Sequence, residues 1–110
     1  MLKYFIYCRK STEEEERQIL SIEAQLTELR EYANREGLLI INEFTESKTA
    51  KEPGRPVFNQ MVSEIEQGSA QDILAWNPDR LVRNSVDGGK IIYLVATGKI
   101  QSLKFPTLSK

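Results

Sequence analysis

The stretch Trp76-Asn77-Pro78-Asp79-Arg80-Leu81-Val82-Arg83-Asn84 decides how this chain is read. An apolar run, Ile73-Leu74-Ala75-Trp76, leads into it. Asp72 and Pro78 bound that run, the pattern of a short buried strand. Polar residues crowd just past its carboxyl end. One helical turn after Pro78 would set Arg80 and Arg83 three apart on one face. Asp79 would lie beside them and hold a guanidinium by a charge-assisted bond. Two arginines there suit a phosphate, because ligands of open α/β sheets bind outside the carboxyl ends of strands. The plainer alternative is a surface helix with solvated charges.

Strands and helices alternate outward from this stretch. Leu2 to Cys8 is rich in Tyr, Phe and Ile and predicts a first strand. Phe5, Tyr7 and Arg9 would face one side of it, Ile6 and Cys8 the other. Arg9 to Thr12 turn at its carboxyl end, and the acids Glu13 to Glu16 make a solvated lead-in. Ile19, Ile22, Leu26, Leu29 and Ala33 carry helical spacing, with Ser21 a candidate cap and Gly37 a stop. A second strand starts at Leu38 and runs to Phe44 or Thr45. Ser47 to Gly54 is a loop. Arg55-Pro56 opens a helix whose apolar face is Phe58, Met61, Val62 and Ile65, and Gly68 ends it. After the arginine stretch, Ser85 or Asp87 would cap a helix carrying Ile91, Ile92, Leu94 and Val95, closed by Gly98. Ile100 to Phe105 alternates and predicts a last strand, ended by Pro106.

This order predicts an α/β fold in three layers: a mostly parallel sheet of four or five strands with helices on both faces. The chain stops after its last strand without a closing helix, so it is expected to be part of a longer protein or a domain that docks on another.

Composition narrows the chemistry. The 110 residues suffice for one domain, and 40% hydrophobic with 28% charged residues is ordinary for a globular chain. A formal net charge of -1 gives no bulk attraction to nucleic acid, so any phosphate must be met by a local cluster. The single cysteine, Cys8, excludes an internal disulfide and fits a reducing cytoplasm. It reads as a small buried apolar group. There is no histidine, which removes the usual base, the usual zinc ligand and every Ser-His-Asp scheme. No run is long enough to span a membrane, and no carboxylate cluster calls for Mg²⁺. No cofactor is expected.

In a sheet of this kind the carboxyl ends of the first and third strands are neighbours. Arg9 and Ser11 should then lie near Arg80 and Arg83, with Arg55 on the same rim. A serine hydroxyl among arginines can attack a phosphodiester: the guanidiniums neutralise charge growing on the phosphate and favour the alkoxide. Taken singly, Ser11 reads as a turn or cap, Tyr7 as core, Arg9 and Arg55 as surface charges, and Gln25 as a solvated helix flank.

Taken together, these residues resemble a known family. Tyr7-Cys8-Arg9-Lys10-Ser11-Thr12, Gln25, Gly54-Arg55-Pro56-Val57-Phe58 and Asp79-Arg80-Leu81-Val82-Arg83-Asn84 resemble, in order and spacing, the catalytic-domain motifs of the serine recombinases. This is the resolvase and invertase family, and the likeness is closest to the large members carried by mobile elements. The resemblance implies that residues 1–110 are the catalytic domain, without the long dimerisation helix and DNA-binding region. Ser11 would be the nucleophile, taking the DNA 5′-phosphate and releasing a 3′-hydroxyl. Arg9, Arg80 and Arg83 would stabilise the phosphoryl group, and Asp79 would position arginines or shuttle a proton. Tyr7, Gln25, Arg55 and Asn84 would assist at the substrate. The partners implied are double-stranded DNA and further copies of the protein, forming dimers and then tetramers, with no membrane. Departures include Glu13 to Glu16, often glutamine in the family, and Glu64, lysine in some small members. Ser47-Lys48-Thr49-Ala50 stands where serine-glycine is common. The competing reading is a non-catalytic fragment serving as a protein-interaction module. A small nucleotide-binding domain is disfavoured, because no glycine-rich loop follows the first strand.

Overall fold

The computed structural model describes residues 2–10, 20–49 and 51–107. Its elements are β1 (Lys3–Arg9), α1 (Ile22–Glu36), β2 (Leu39–Glu46), α2 (Pro56–Glu66), β3 (Asp72–Ala75), α3 (Pro78–Leu81), α4 (Ser85–Ala96) and β4 (Ser102–Lys104). The strands form one sheet in the order β2-β1-β3-β4, and every neighbouring pair is parallel. Ser11, Thr12, the acids Glu13 to Glu16 and Ile19 lie outside the described residues.

β1 is paired along both edges and carries helices over both faces, as its near-continuous apolar sequence requires. Phe5 and Tyr7 join the core formed with α2, α4 and Ile73. Tyr4, Ile6 and Cys8 join the core formed with Leu29 and Ala33 of α1. Cys8 is the small buried apolar group expected, and burial pushes its thiol up to about 12, with Glu43 adding to the rise and Arg30 opposing it. Helices therefore lie on both faces of the sheet. A bulge between Tyr4 and Phe5 shifts the register against β2, setting Tyr4 opposite Ile40 and Phe5 opposite Asn42.

Helix ends follow local chemistry. The Ser21 hydroxyl accepts from the Ala24 amide at 3.1 Å and starts α1. Gly37 ends it with φ of 69°, a left-handed conformation that glycine adopts without strain. Pro56 occupies the first turn of α2, where its missing donor costs nothing. Phe58, Met61, Val62 and Ile65 are all buried, each contributing about 2 kcal/mol of apolar burial.

Two expectations change past β3. The turn after Pro78 forms but stops at Leu81, and Val82 is extended with φ -142° and ψ 147°. Arg80 and Arg83 therefore share no helical face: Arg80 is buried and Arg83 is exposed. The cap of α4 is Asn84, not Ser85 or Asp87. Of the apolar residues of α4, Ile91 and Leu94 reach the core, whereas Ile92, at 70% exposure, and Val95 do not. A single helix presents one face to a sheet, and residues 92 and 95 lie off it. No helix among the described residues is long and apolar enough to cross a membrane.

Asp72 opens β3 with its side chain buried. The Tyr4 hydroxyl and the Ser102 and Gln101 amides lie close but do not complete a hydrogen bond of good geometry to either oxygen. Burial raises its pKa above the ordinary carboxylate value. The folded form thus holds this proton more tightly than the unfolded one. The stabilisation from that proton is full below the unfolded value and is lost as pH rises through the folded one. Asp72→Asn is expected to raise the urea midpoint at pH 7, with the gain shrinking toward pH 4. An unchanged or lowered midpoint at pH 7 would refute a burial penalty at this site.

Candidate active site

Strand order fixes where a ligand can be held. The chain winds from β1 outward to β2, then returns past β1 to β3 and β4, so the direction of winding reverses between β1 and β3. Their carboxyl ends, where Tyr7 pairs with Ala75, form a topological switch point. Arg9 leaves one of these ends and Arg80 follows the other.

The two arginines hold each other. Arg9 Nε donates to the Arg80 carbonyl at 3.2 Å, and Arg80 Nη1 donates to the Arg9 carbonyl at 3.2 Å. Arg9 also donates from Nη1 to the Lys48 carbonyl at 2.9 Å and from Nη2 to the Asp79 carbonyl at 2.8 Å. These three acceptors are backbone carbonyls, and they orient the guanidinium. It is thus the backbone of Asp79 that meets Arg9, while its side chain is exposed. The turn itself is set by Asn77, whose Oδ1 accepts from the Arg80 amide at 3.1 Å.

Gln25 fixes the backbone beneath. Its Oε1 accepts from the Arg9 amide at 3.3 Å, and its Nε2 donates to the Arg9 carbonyl at 2.9 Å and the Leu20 carbonyl at 3.0 Å. Read alone, Gln25 is a solvated flank, but the structure buries it completely. The strand end after Cys8 has no further ladder partner on that side, and an amide with one donor and one acceptor end completes it.

Arg55 and Tyr7 lie below this rim. Arg55 is 1% exposed, not a surface charge. Its Nη1 donates to the Tyr7 hydroxyl at 3.1 Å, its Nη2 to Asp87 Oδ2 at 3.1 Å, and its guanidinium lies 4.0 Å from the Phe58 ring centroid. The Tyr7 hydroxyl donates to Glu46 Oε1 at 2.7 Å. Burial raises the Tyr7 phenol far above its ordinary value; Arg55 offsets part of this and Glu46 adds to it. Tyr7 therefore stays neutral. Asn84, closing the motif, accepts from the Asp87 amide at 2.9 Å through its side-chain oxygen and starts α4.

Sequence reasoning did not single out Glu46. It ends β2, is buried, and caps α2 from outside: Oε2 accepts from Val57 N at 2.9 Å and Oε1 from Phe58 N at 3.0 Å. Arg55, the residue at the cap position, makes no side-chain cap bond. The signal was an apolar helix beginning at Arg55-Pro56 with no Ser, Thr, Asp or Asn before it, so its free amides needed an acceptor from another element. Glu46→Gln turns one end into a donor facing those amides. The expected loss is about 2 kcal/mol, read as a lower urea midpoint with unchanged m value. A midpoint equal to wild type would show that the carboxylate does not hold the helix.

The structure thus joins Arg9 with Arg80, clamps them with Gln25, and sets Tyr7, Arg55 and Glu46 beneath. Arg83 stands in the extended link beside them, and Ser11 lies outside the described residues. No group of three or more His, Cys, Asp or Glu among the described residues is arranged to hold a metal ion.

Comparison with known proteins identifies domains similar to this one. The family model described as Resolvase, N terminal domain, matches residues 4–102. No curated protein matches the sequence. The N-terminal catalytic domain of TP901-1 integrase is similar in structure, with a TM-score of 0.78 and 27% identity over 97% of this chain and 78% of that one. The C-terminal catalytic domain of ISC1926 TnpA, an IS607-like serine recombinase, matches with a TM-score of 0.76 and 20% identity, covering 94% and 70%. A resolvase family site-specific recombinase from Streptococcus pneumoniae matches at 0.74 and 23%, covering 96% and 72%. With a family match across nearly the whole chain and the same all-parallel fold, this chain belongs to the resolvase N-terminal domain family of serine recombinases.

Proposed function

We propose that residues 1–110 are the catalytic domain of a site-specific DNA recombinase that cuts and rejoins double-stranded DNA through a phosphoserine link. The observation that carries this is the meeting of Arg9 and Arg80 at the switch point between β1 and β3, immediately before Ser11 in sequence. Ser11 Oγ attacks the phosphorus, a Ser–O–P bond forms, the P–O3′ bond breaks, and the 3′-hydroxyl leaves with a proton. One phosphoester replaces another, so religation needs no ATP and no cofactor. Arg9, Arg80 and Arg83 stabilise charge on the non-bridging oxygens, and Asp79, exposed beside them, handles the proton. Arg9 and Arg80 exchange carbonyl acceptors for phosphate oxygens when DNA arrives. The burial of Tyr7, Gln25 and Arg55, and the capping bonds of Asn84, support a role in holding the rim for the phosphate.

DNA affinity resides largely in a further region of the parent protein, consistent with the net charge of -1. The parent acts in the cytoplasm and self-associates, first as a dimer and then as a tetramer. Ile92, Tyr93 and Val95, exposed on α4, support association of this kind. The same surface would serve a non-catalytic interaction module, but that reading leaves the arginine clasp without a purpose. The test is to stop the full-length protein on a labelled DNA site with denaturant and map the linked residue by peptide mass. Linkage of a 5′-phosphate to Ser11 is expected. Linkage at another residue, or through a 3′ end, would overturn the assignment.

A further inference from the structure

Asp87, in the first turn of α4, is fully buried. One of its oxygens, Oδ2, accepts from Arg55 Nη2 at 3.1 Å and from Asn84 Nδ2 at 2.9 Å. Its backbone amide donates to Asn84 Oδ1 at 2.9 Å. Lys90 Nζ stands 3.8 Å from Oδ1. The Asn84 side chain is thus gripped at both ends, by the amide and by the carboxylate of the same residue. A helix cap needs only the first of these bonds. The second fixes the rotation of the Asn84 amide and, through it, the peptide that follows Arg83. On the other side of Arg83, the Val82 amide donates to the Pro78 carbonyl at 3.0 Å. Arg83 therefore sits between two pinned peptides, with extended backbone at Val82 before it and at Asn84 after it.

We infer that Asp87 is a positioning residue for Arg83: its carboxylate ties Asn84 to the immobile Arg55 and so sets the direction in which Arg83 meets the phosphate. This rests on the phosphoryl-transfer reading above. A carboxylate suits the task because its charge pairs with the buried Arg55 guanidinium while the same oxygen accepts from Asn84. An amide in its place removes the charge that Arg55 meets and so weakens the tie.

The test uses the full-length recombinase and a DNA site, with linkage rate and DNA affinity measured separately. Asp87→Asn is expected to slow linkage about 10- to 50-fold with affinity within about twofold. Arg83→Ala alone should slow it by about 100-fold or more, and the double variant should be no slower than Arg83→Ala. Multiplying penalties, or a wild-type rate in Asp87→Asn, would overturn the positioning role while leaving the Ser11 chemistry standing. A wild-type rate in Arg83→Ala would remove Arg83 from the reaction and this inference with it; peptide mapping at Ser11 judges the chemistry separately. If Asp87→Asn does not fold, Asn84→Ser keeps a capping hydroxyl and the Arg55–Asp87 pair and deletes only the tie. It should show the same non-additive loss, about 5- to 20-fold, and a wild-type or multiplicative result there counts against the inference.

Discussion

Full-length recombinase carrying Ser11→Ala is expected to form no covalent DNA link, a loss on the order of 10⁶ in rate, as when other enzymes lose their nucleophile. Its affinity for the DNA site should stay within about twofold. The two quantities separate because they rest on different groups. In the proposed reaction the hydroxyl supplies the bond that conserves the phosphoester, and nothing in the Arg9–Arg80 clasp can replace it, because guanidiniums are poor nucleophiles. Affinity comes from phosphate contacts spread along the duplex, to which one neutral hydroxyl adds little. Gel separation of linked product under denaturing conditions, beside a binding titration at fixed salt, makes the comparison. Linkage persisting in the variant would remove Ser11 from the mechanism. Binding lost together with linkage would mean that Ser11 shapes the domain and does not act on the phosphate.

The second large effect is on stability. Arg55→Met is expected to cost about 4 kcal/mol, because it takes from the buried Asp87 carboxylate its buried countercharge and leaves it the Asn84 amide and the half-exposed Lys90. Methionine replaces the stem packed on Phe58 but not the bonds to Tyr7 and Asp87. The double variant Arg55→Met with Asp87→Leu removes the stranded carboxylate and should recover about 2 kcal/mol. Recovery stays partial because the Asn84 amide then lacks its acceptor. Urea midpoints at pH 7 measure both. A single-variant loss under about 1 kcal/mol, or a double variant worse than the single, would show that the pair is not what holds these elements together.

Much of this architecture was legible. Ser21, Gly37 and Pro56 mark helix ends through bonds each residue makes locally, and those readings hold. The switch point was legible too, since alternating strands and helices restrict the topology. What the sequence concealed was the destination of its buried polar groups. Gln25, Arg55 and Glu46 have the residue types of a solvated surface. Their burial depends on partners on other elements, 11 to 48 positions away, beyond any periodic pattern. The cap of α4 was misplaced for a related reason: Asp87 is a good cap by type, but Arg55 and Asn84 occupy its carboxylate. The helical turn stops at Leu81 although Val82 and Arg83 do not forbid helix. The Asn84 cap, pinned from Asp87, holds the link extended.

The central position of β1 has a consequence for synthesis. It is the first strand of the sheet to be made and six of its seven residues become buried, yet its neighbours are residues 39–46 and 72–75. No part of the sheet can close on both its edges until Ala75 has left the ribosome. At about 5–20 residues per second, that leaves Tyr4-Phe5-Ile6-Tyr7-Cys8 without its native cover for about 4–14 seconds. The segment is short, lacks charge between Tyr4 and Cys8, and has high strand propensity, the profile of a sequence that pairs with other nascent chains. Lys3 on one side and Arg9-Lys10 on the other bracket it with positive charge, so copies of the segment repel one another during that interval. Arg9, which later clasps Arg80, thus also guards the strand while the domain is incomplete.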